Sequence, residues 1–277
     1  MSMNKNRQLV IERAAEAVRD ECNVTDYGFQ NIFEAVEKIG YRVIRYPIGY
    51  ESFLGFALIK DTERIIFSNS SQILSREIFS VAHEIGHHKL HLSEQGKRII
   101  RDDDFNDRDE EEVEANYFAA CILMPTEKIN KFIRLELKDK NIKTWKGLDI
   151  ARIQTAFNVS YDMTLIRLKA LGVLSGYILD QLKLEKMEKT TTRLLNAIKG
   201  NAGLCKSSEV KKIPAEYLEW VISNYYDKLI PRKSLETALD YVDLNADDII
   251  ESPEEFDENH LSDAFGAILI VKEKKNG

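Results

Sequence analysis

Cysteine is scarce in this sequence: Cys22, Cys121 and Cys205 are the only three, odd in number and far apart. That excludes a disulfide framework and leaves no C-x-x-C pair for a thiolate metal site. The expectation is reduced, buried thiols in a cytoplasmic protein. Long apolar runs are missing too, since none approaches the ~20 residues of a membrane span. The first seven residues are polar and lack the apolar stretch of a secretory leader, so none is expected. Positive charge is in deficit, and a net charge of −7 argues against non-specific nucleic-acid binding by the whole surface, though not against a local basic face. Proline is rare, at five residues, and with 44% hydrophobic and 31% charged residues the composition is that of a folded globular protein. A length of 277 residues suits one large domain or two ordinary ones.

Periodicity organises what is present. Residues 7–20 and 27–39 read as helices, the second with Phe29, Ile32, Phe33, Val36 and Ile39 at helical spacing and Gly40 as its stop. Tyr41–Tyr46, Phe53–Ile59 and Arg64–Phe67 are short, β-branched and aromatic, and predict a small antiparallel meander. Asn69–Ser71 offers N-caps for a long helix whose apolar face holds Leu74, Ile78, Val81, Ala82 and Ile85. The charged stretch 94–108 reads as a loop, and Asp109–Leu123 as a second strong helix ended by Pro125. Thr126 is a cap for another helix, and two more fall near 146–157 and 161–171. After Gly172 the composition turns lysine-rich. A helix beginning at Pro214 then carries Trp220, expected with Tyr217, Val221 and Tyr225 in a core, and Ala264–Val271 resembles a last strand.

Four of the five histidines crowd into His83-Glu84-Ile85-Gly86-His87-His88-Lys89-Leu90-His91. The first five residues read His-Glu-x-x-His, a zinc-hydrolase signature. Histidines at i and i+4 share one helical face about 6 Å apart along the axis, so both imidazoles can reach one ion. Glu84 leans off that face, placed to act on water. A catalytic zinc needs a third protein ligand. His91 would lie about 12 Å along a continued helix from His83, too far to share the ion. His88 points about 100° from His87, and His260 is remote. Glu114 is the better source, because its helical neighbours Tyr117, Phe118, Cys121 and Ile122 are mostly apolar and an unpaired carboxylate there is expensive. Glu110, Glu111 and Glu112 suit the solvated first turn and the helix dipole. The expected zinc ligands are therefore His83, His87 and Glu114.

The run from Phe79 to His91, then Glu114-Ala115-Asn116-Tyr117-Phe118-Ala119-Ala120 and Leu123-Met124-Pro125, resembles the ImmA/IrrE metallopeptidases. Phe157-Asn158-Val159-Ser160 through Arg167-Leu168-Lys169-Ala170-Leu171-Gly172 is similar as well, so the resemblance spans roughly residues 30–175. It implies an α+β minimal zincin-like domain, helices with a small, mainly antiparallel sheet, binding Zn2+ through His83, His87 and Glu114 with Glu84 as catalytic base. It also implies a substrate class, since members act on helix-turn-helix transcriptional repressors. Tyr117, His88 and His91 are the candidates for stabilising an oxyanion, and an exposed strand edge beside the motif helix is expected to align an extended substrate.

The domains expected are a peptidase domain over 1–175, helix-turn-helix-like at 148–172, and a mostly helical recognition or regulatory region over 176–277. Arg152, Arg167 and Lys169 are the basic residues of the helix-turn-helix stretch, but Asp149 and Asp162 dilute them, so direct nucleic-acid binding is not expected and docking of a DNA-binding partner is. Asp243 through Glu254 imitates a calcium loop but has Asp248 in place of its glycine; a solvated acidic surface is the expected use. The leading reading is a cytoplasmic zinc endopeptidase cleaving a specific protein, a transcriptional repressor. The alternative is a non-catalytic zinc-containing regulator that binds a repressor or senses a signal. An intact Glu84 favours the enzyme, because a scaffold needs no base beside its metal.

Overall fold

The computed structural model describes residues 3–60, 62–92, 99–102 and 109–249. Helix α1 (Lys5–Glu21) begins at Asn4, whose side chain accepts from the Asn6 amide. Helix α2 (Ile32–Glu37) is shorter than the predicted 27–39 because Asn31 caps it, accepting from the Glu34 amide, while Phe29 is buried without being helical.

The sheet is mixed. Strands β1 (Tyr41–Tyr46), β2 (Gly55–Lys60), β3 (Glu63–Asn69) and β4 (Ile99–Asp102) lie in the order β1-β3-β2-β4. β1 runs parallel to β3, whereas β2 is antiparallel to both β3 and β4. The small, mainly antiparallel sheet is as expected, but a simple meander is not what forms. Asn69 explains the crossing: its Nδ2 donates to the carbonyls of Gly49 (2.8 Å) and Phe53 (3.0 Å), holding the connection that carries the chain past β3 to its far side. That role also removes Asn69 as a helix cap. Helix α3 (Leu74–His87) starts after Ile73, which bridges to Ser207. Within 94–108, read as a loop, Ile99–Asp102 is the fourth strand.

Helix α4 (Glu110–Leu123) is capped by Asp109 and α5 (Thr126–Leu135) follows Pro125 directly. Helices α6 (Gly147–Phe157) and α7 (Tyr161–Ala170) turn at Asn158, which takes the left-handed conformation (φ 52°). Arg167, counted among the basic residues of this pair, is instead buried and donates from Nε to the Met124 carbonyl at 3.1 Å. Helices α8 (Gly176–Lys189) and α9 (Thr191–Ala197) insert Leu182, Leu194 and Leu195 into the same core as α3 and α4. The compact unit that holds these leucines runs from Met1 to Val210, past the expected boundary at 175. Cys121 is buried in this unit and Cys22 and Cys205 are partly buried, all three as free thiols.

The second unit begins at Lys211. Its described helices, α10 (Ala215–Tyr226), α11 (Arg232–Asp240) and α12 (Ala246–Ile249), gather Tyr225, Leu235, Leu239 and Ala246 into a small core. Trp220 is 58% exposed, so of the expected core aromatics Tyr225 is the buried one. His260, the strand expected over 264–271 and the end of the acidic stretch lie outside the described residues. Among the described residues no helix is long and apolar enough to cross a membrane.

Candidate metal centre

Helices α3 and α4 pack at backbone distance. A β-carbon on Gly86 would sit 3.2 Å from both the Ala115 Cα and the Phe118 Cβ, so only glycine allows this approach without a shift of its neighbours. The small side chains Ala115 and Ala119 mark the edge of α4 that meets α3, and Glu112 and Asn116 flank that edge one turn apart. His83 and His87, one turn apart on α3, face them; both imidazoles are fully buried.

The geometry gathers three donor groups at one point. His83 Nε2 and His87 Nε2 are 2.9 Å apart, and the Glu112 carboxylate oxygens lie 3.1 Å and 3.2 Å from them. One ligand atom from each residue falls within 4.8 Å of the others, so this group can hold a metal ion. The far side of each ring is engaged as well: His83 Nδ1 meets Asn116 Oδ1 at 3.0 Å, and His87 Nδ1 meets His91 Nδ1 at 3.0 Å. A neutral imidazole that donates from Nδ1 presents a bare lone pair at Nε2. Two such lone pairs aimed at a carboxylate leave a position that a cation fits, and ligand atoms about 3 Å apart suit bonds of about 2.1 Å. Burial holds the His87 pKa down, favouring the neutral ligand form.

The expected third ligand is thus corrected: the structure brings His83 and His87 to Glu112, not to Glu114. Two positions along a helix is about 200° of rotation, so the two glutamates face different neighbours. Glu114 turns to α1, where Arg7 donates to it from Nε (2.6 Å) and Nη2 (2.5 Å), and His91 Nε2 lies 3.1 Å from it. Its buried carboxylate does have the cationic partner that its apolar surroundings demand, but that partner is a guanidinium. The stripe of small residues was the available signal, since it identifies the edge of α4 that can approach another helix closely. Tyr117 and Cys121 instead share the side of Glu114.

Glu84 is fully buried. It leans toward β2, where a β-carbon on Gly55 would stand 3.2 Å from its Oε1 and 2.8 Å from the Phe67 carbonyl oxygen. On its other side β2 is paired, with Gly55 opposite Asp102, so the edge strand there is β4. The three oxyanion candidates all face other partners. Tyr117 donates its hydroxyl to Glu12 at 2.5 Å. His88 Nε2 lies 3.0 Å from the Ile65 carbonyl, and burial lowers its pKa to about 4. His91 is committed to His87 and Glu114.

A helix bearing His-Glu-x-x-His against a small mixed sheet, with a carboxylate delivered from the next helix, defines a metallopeptidase-type domain of the α+β class. In agreement, residues 36–169 match the family model of the IrrE N-terminal-like domain, peptidase family M78. This match bears out the resemblance to the ImmA/IrrE metallopeptidases that the motifs led us to expect. No curated protein matches the chain in a sequence comparison. Helix α1, with Arg7, precedes the matched segment.

Proposed function

We propose that this protein is a zinc endopeptidase that cleaves a specific cytoplasmic protein, a helix-turn-helix transcriptional repressor being the expected substrate. The observation that carries this reading is the convergence of His83 Nε2, His87 Nε2 and the Glu112 carboxylate within bonding range of one point, with Glu84 on the next position of the same helix. Zinc, when bound by those three residues, would polarise a scissile carbonyl and acidify water. Glu84 takes the proton of the attacking water and returns it to the departing amine. Asn116 and His91 hold the two imidazoles in the orientation that turns Nε2 inward. The buried setting of Glu84 raises the worth of each of these interactions by excluding bulk water. Pairing of β2 with β4 means that an extended substrate either displaces Ile99–Asp102 or lies beyond it.

The repressor assignment rests on the family resemblance. Its test is a survey of new protein N-termini in cells expressing the wild-type protein or Glu84→Gln at matched levels. A cleaved peptide that depends on Glu84 supports the enzyme and names its substrate. Identical termini at rest and under stress, from a protein that retains zinc, favour the non-catalytic regulator instead.

A further inference from the structure

The two imidazoles of the metal centre are held differently, and the difference reaches outside the matched domain. His83 is held within the helix pair, by Asn116. His87 is held by a line of side chains that ends on α1: His87 Nδ1 to His91 Nδ1 at 3.0 Å, His91 Nε2 to Glu114 Oε2 at 3.1 Å, and Glu114 to Arg7 in a two-pronged contact at 2.5 Å and 2.6 Å. After His87 the helix changes to a π-helical turn, His88–Leu92, and it is this turn that carries His91. Such turns inside helices often mark functional positions.

With both imidazoles neutral, the direction of every hydrogen bond in this line follows from one end. A guanidinium has donors only and no acceptor, so Glu114 must accept from Arg7. A carboxylate is an acceptor, so His91 must carry its proton on Nε2. A neutral imidazole protonated on Nε2 has a lone pair on Nδ1, which therefore accepts. His87 must then donate from Nδ1, which leaves its Nε2 bare and facing His83 and Glu112. We infer that Arg7, Glu114 and His91 are positioning residues that fix the metal-binding tautomer of His87, so that α1 completes the metal centre without touching it. This rests on the reading of His83, His87 and Glu112 as zinc ligands.

The line also accounts for the burial of Glu114, which the three-residue cluster leaves without a role.

The test uses the full-length protein and zinc. Zinc dissociation constants are measured by competition with a zinc-chelating dye for the wild type, Arg7→Gln, Arg7→Lys and His91→Phe. Outer partners of metal-ligating histidines typically contribute about 10–100-fold in affinity. The expected result is a loss of that size in Arg7→Gln and His91→Phe, with partial recovery in Arg7→Lys. The second readout is the ring N–H resonance of His87 in the zinc-loaded protein, expected to couple across its hydrogen bond to His91 Nδ1 and to lose that coupling in His91→Phe. A purely structural role for Arg7 would lower thermal stability and leave both readouts unmoved. Tight zinc binding in the wild type that is unchanged in Arg7→Gln and His91→Phe overturns this inference alone. A wild-type protein that binds no zinc overturns the metal reading with it.

Discussion

The buried ion pair under α3 offers the sharpest stability test. Arg45 on β1 donates to Glu77 through Nε and Nη2, both at 2.8 Å, and Nη2 also reaches the Ser208 hydroxyl at 2.9 Å. Glu77 accepts further from Ser68 (3.2 Å) and Ser208 (3.0 Å), and the Arg45 guanidinium lies 3.6 Å from the centre of the Phe33 ring. The side chains are 11% and 0% exposed, so water cannot replace a lost partner. Removing one member of such a pair leaves an uncompensated buried charge and costs about 3–5 kcal/mol, whereas replacing both by apolar groups is often close to neutral. For a unit of this size each kcal/mol is about 2–4 °C in melting temperature. Arg45→Met and Glu77→Leu should therefore each lower it by about 6–20 °C. The double variant should lie well above the sum of the two losses, by about 3 kcal/mol or more. Thermal and urea melts of the zinc-free protein measure all four corners. Additive losses, or a Glu77→Leu variant as stable as wild type, would refute the view that charge complementarity anchors α3 to the sheet.

Glu112→Ala should abolish tight zinc binding and peptide cleavage, while Glu114→Gln should retain zinc at reduced affinity; equilibrium dialysis with metal analysis separates them. Gly86→Val should destabilise the protein by about 1–3 kcal/mol, the usual cost of overpacking, by pressing on Ala115 and Phe118; a melt indistinguishable from wild type would contradict the close approach of α3 and α4. Removal of zinc by a chelator should lower the melting temperature, since saturation at about 1,000 times the dissociation constant stabilises by about 4 kcal/mol. Glu112→Ala should show little of that chelator effect.

Local patterns were the readable part of this chain. His83, Glu84 and His87 could be placed because spacing within one helix determines which side chains share a face. The strands over 41–46 and 64–67 were visible in their β-branched and aromatic runs. Their order was not, because parallel pairing of β1 with β3 depends on where Asn69 carries the connection, a contact across 16 to 20 residues. The third ligand failed for a related reason. Both Glu112 and Glu114 are buried, since α4 lies between α1 and α3, and the sequence of α4 alone does not say which neighbour holds the arginine. Arg7 lies 107 residues from Glu114, beyond any local pattern. The boundary near 175 was drawn from a change in composition, whereas Leu182, Leu194 and Leu195 of the two following helices are buried in the main core, a contact that composition does not report.

The most direct test of the central claim is a crystal structure of the zinc-loaded protein with anomalous diffraction recorded at the zinc edge. The account predicts one zinc peak with bonds of about 2.0–2.2 Å to His83 Nε2, His87 Nε2 and a Glu112 oxygen, with Glu114 still on Arg7. A zinc bound by Glu114 with Glu112 turned to solvent, or no peak between α3 and α4, would contradict it.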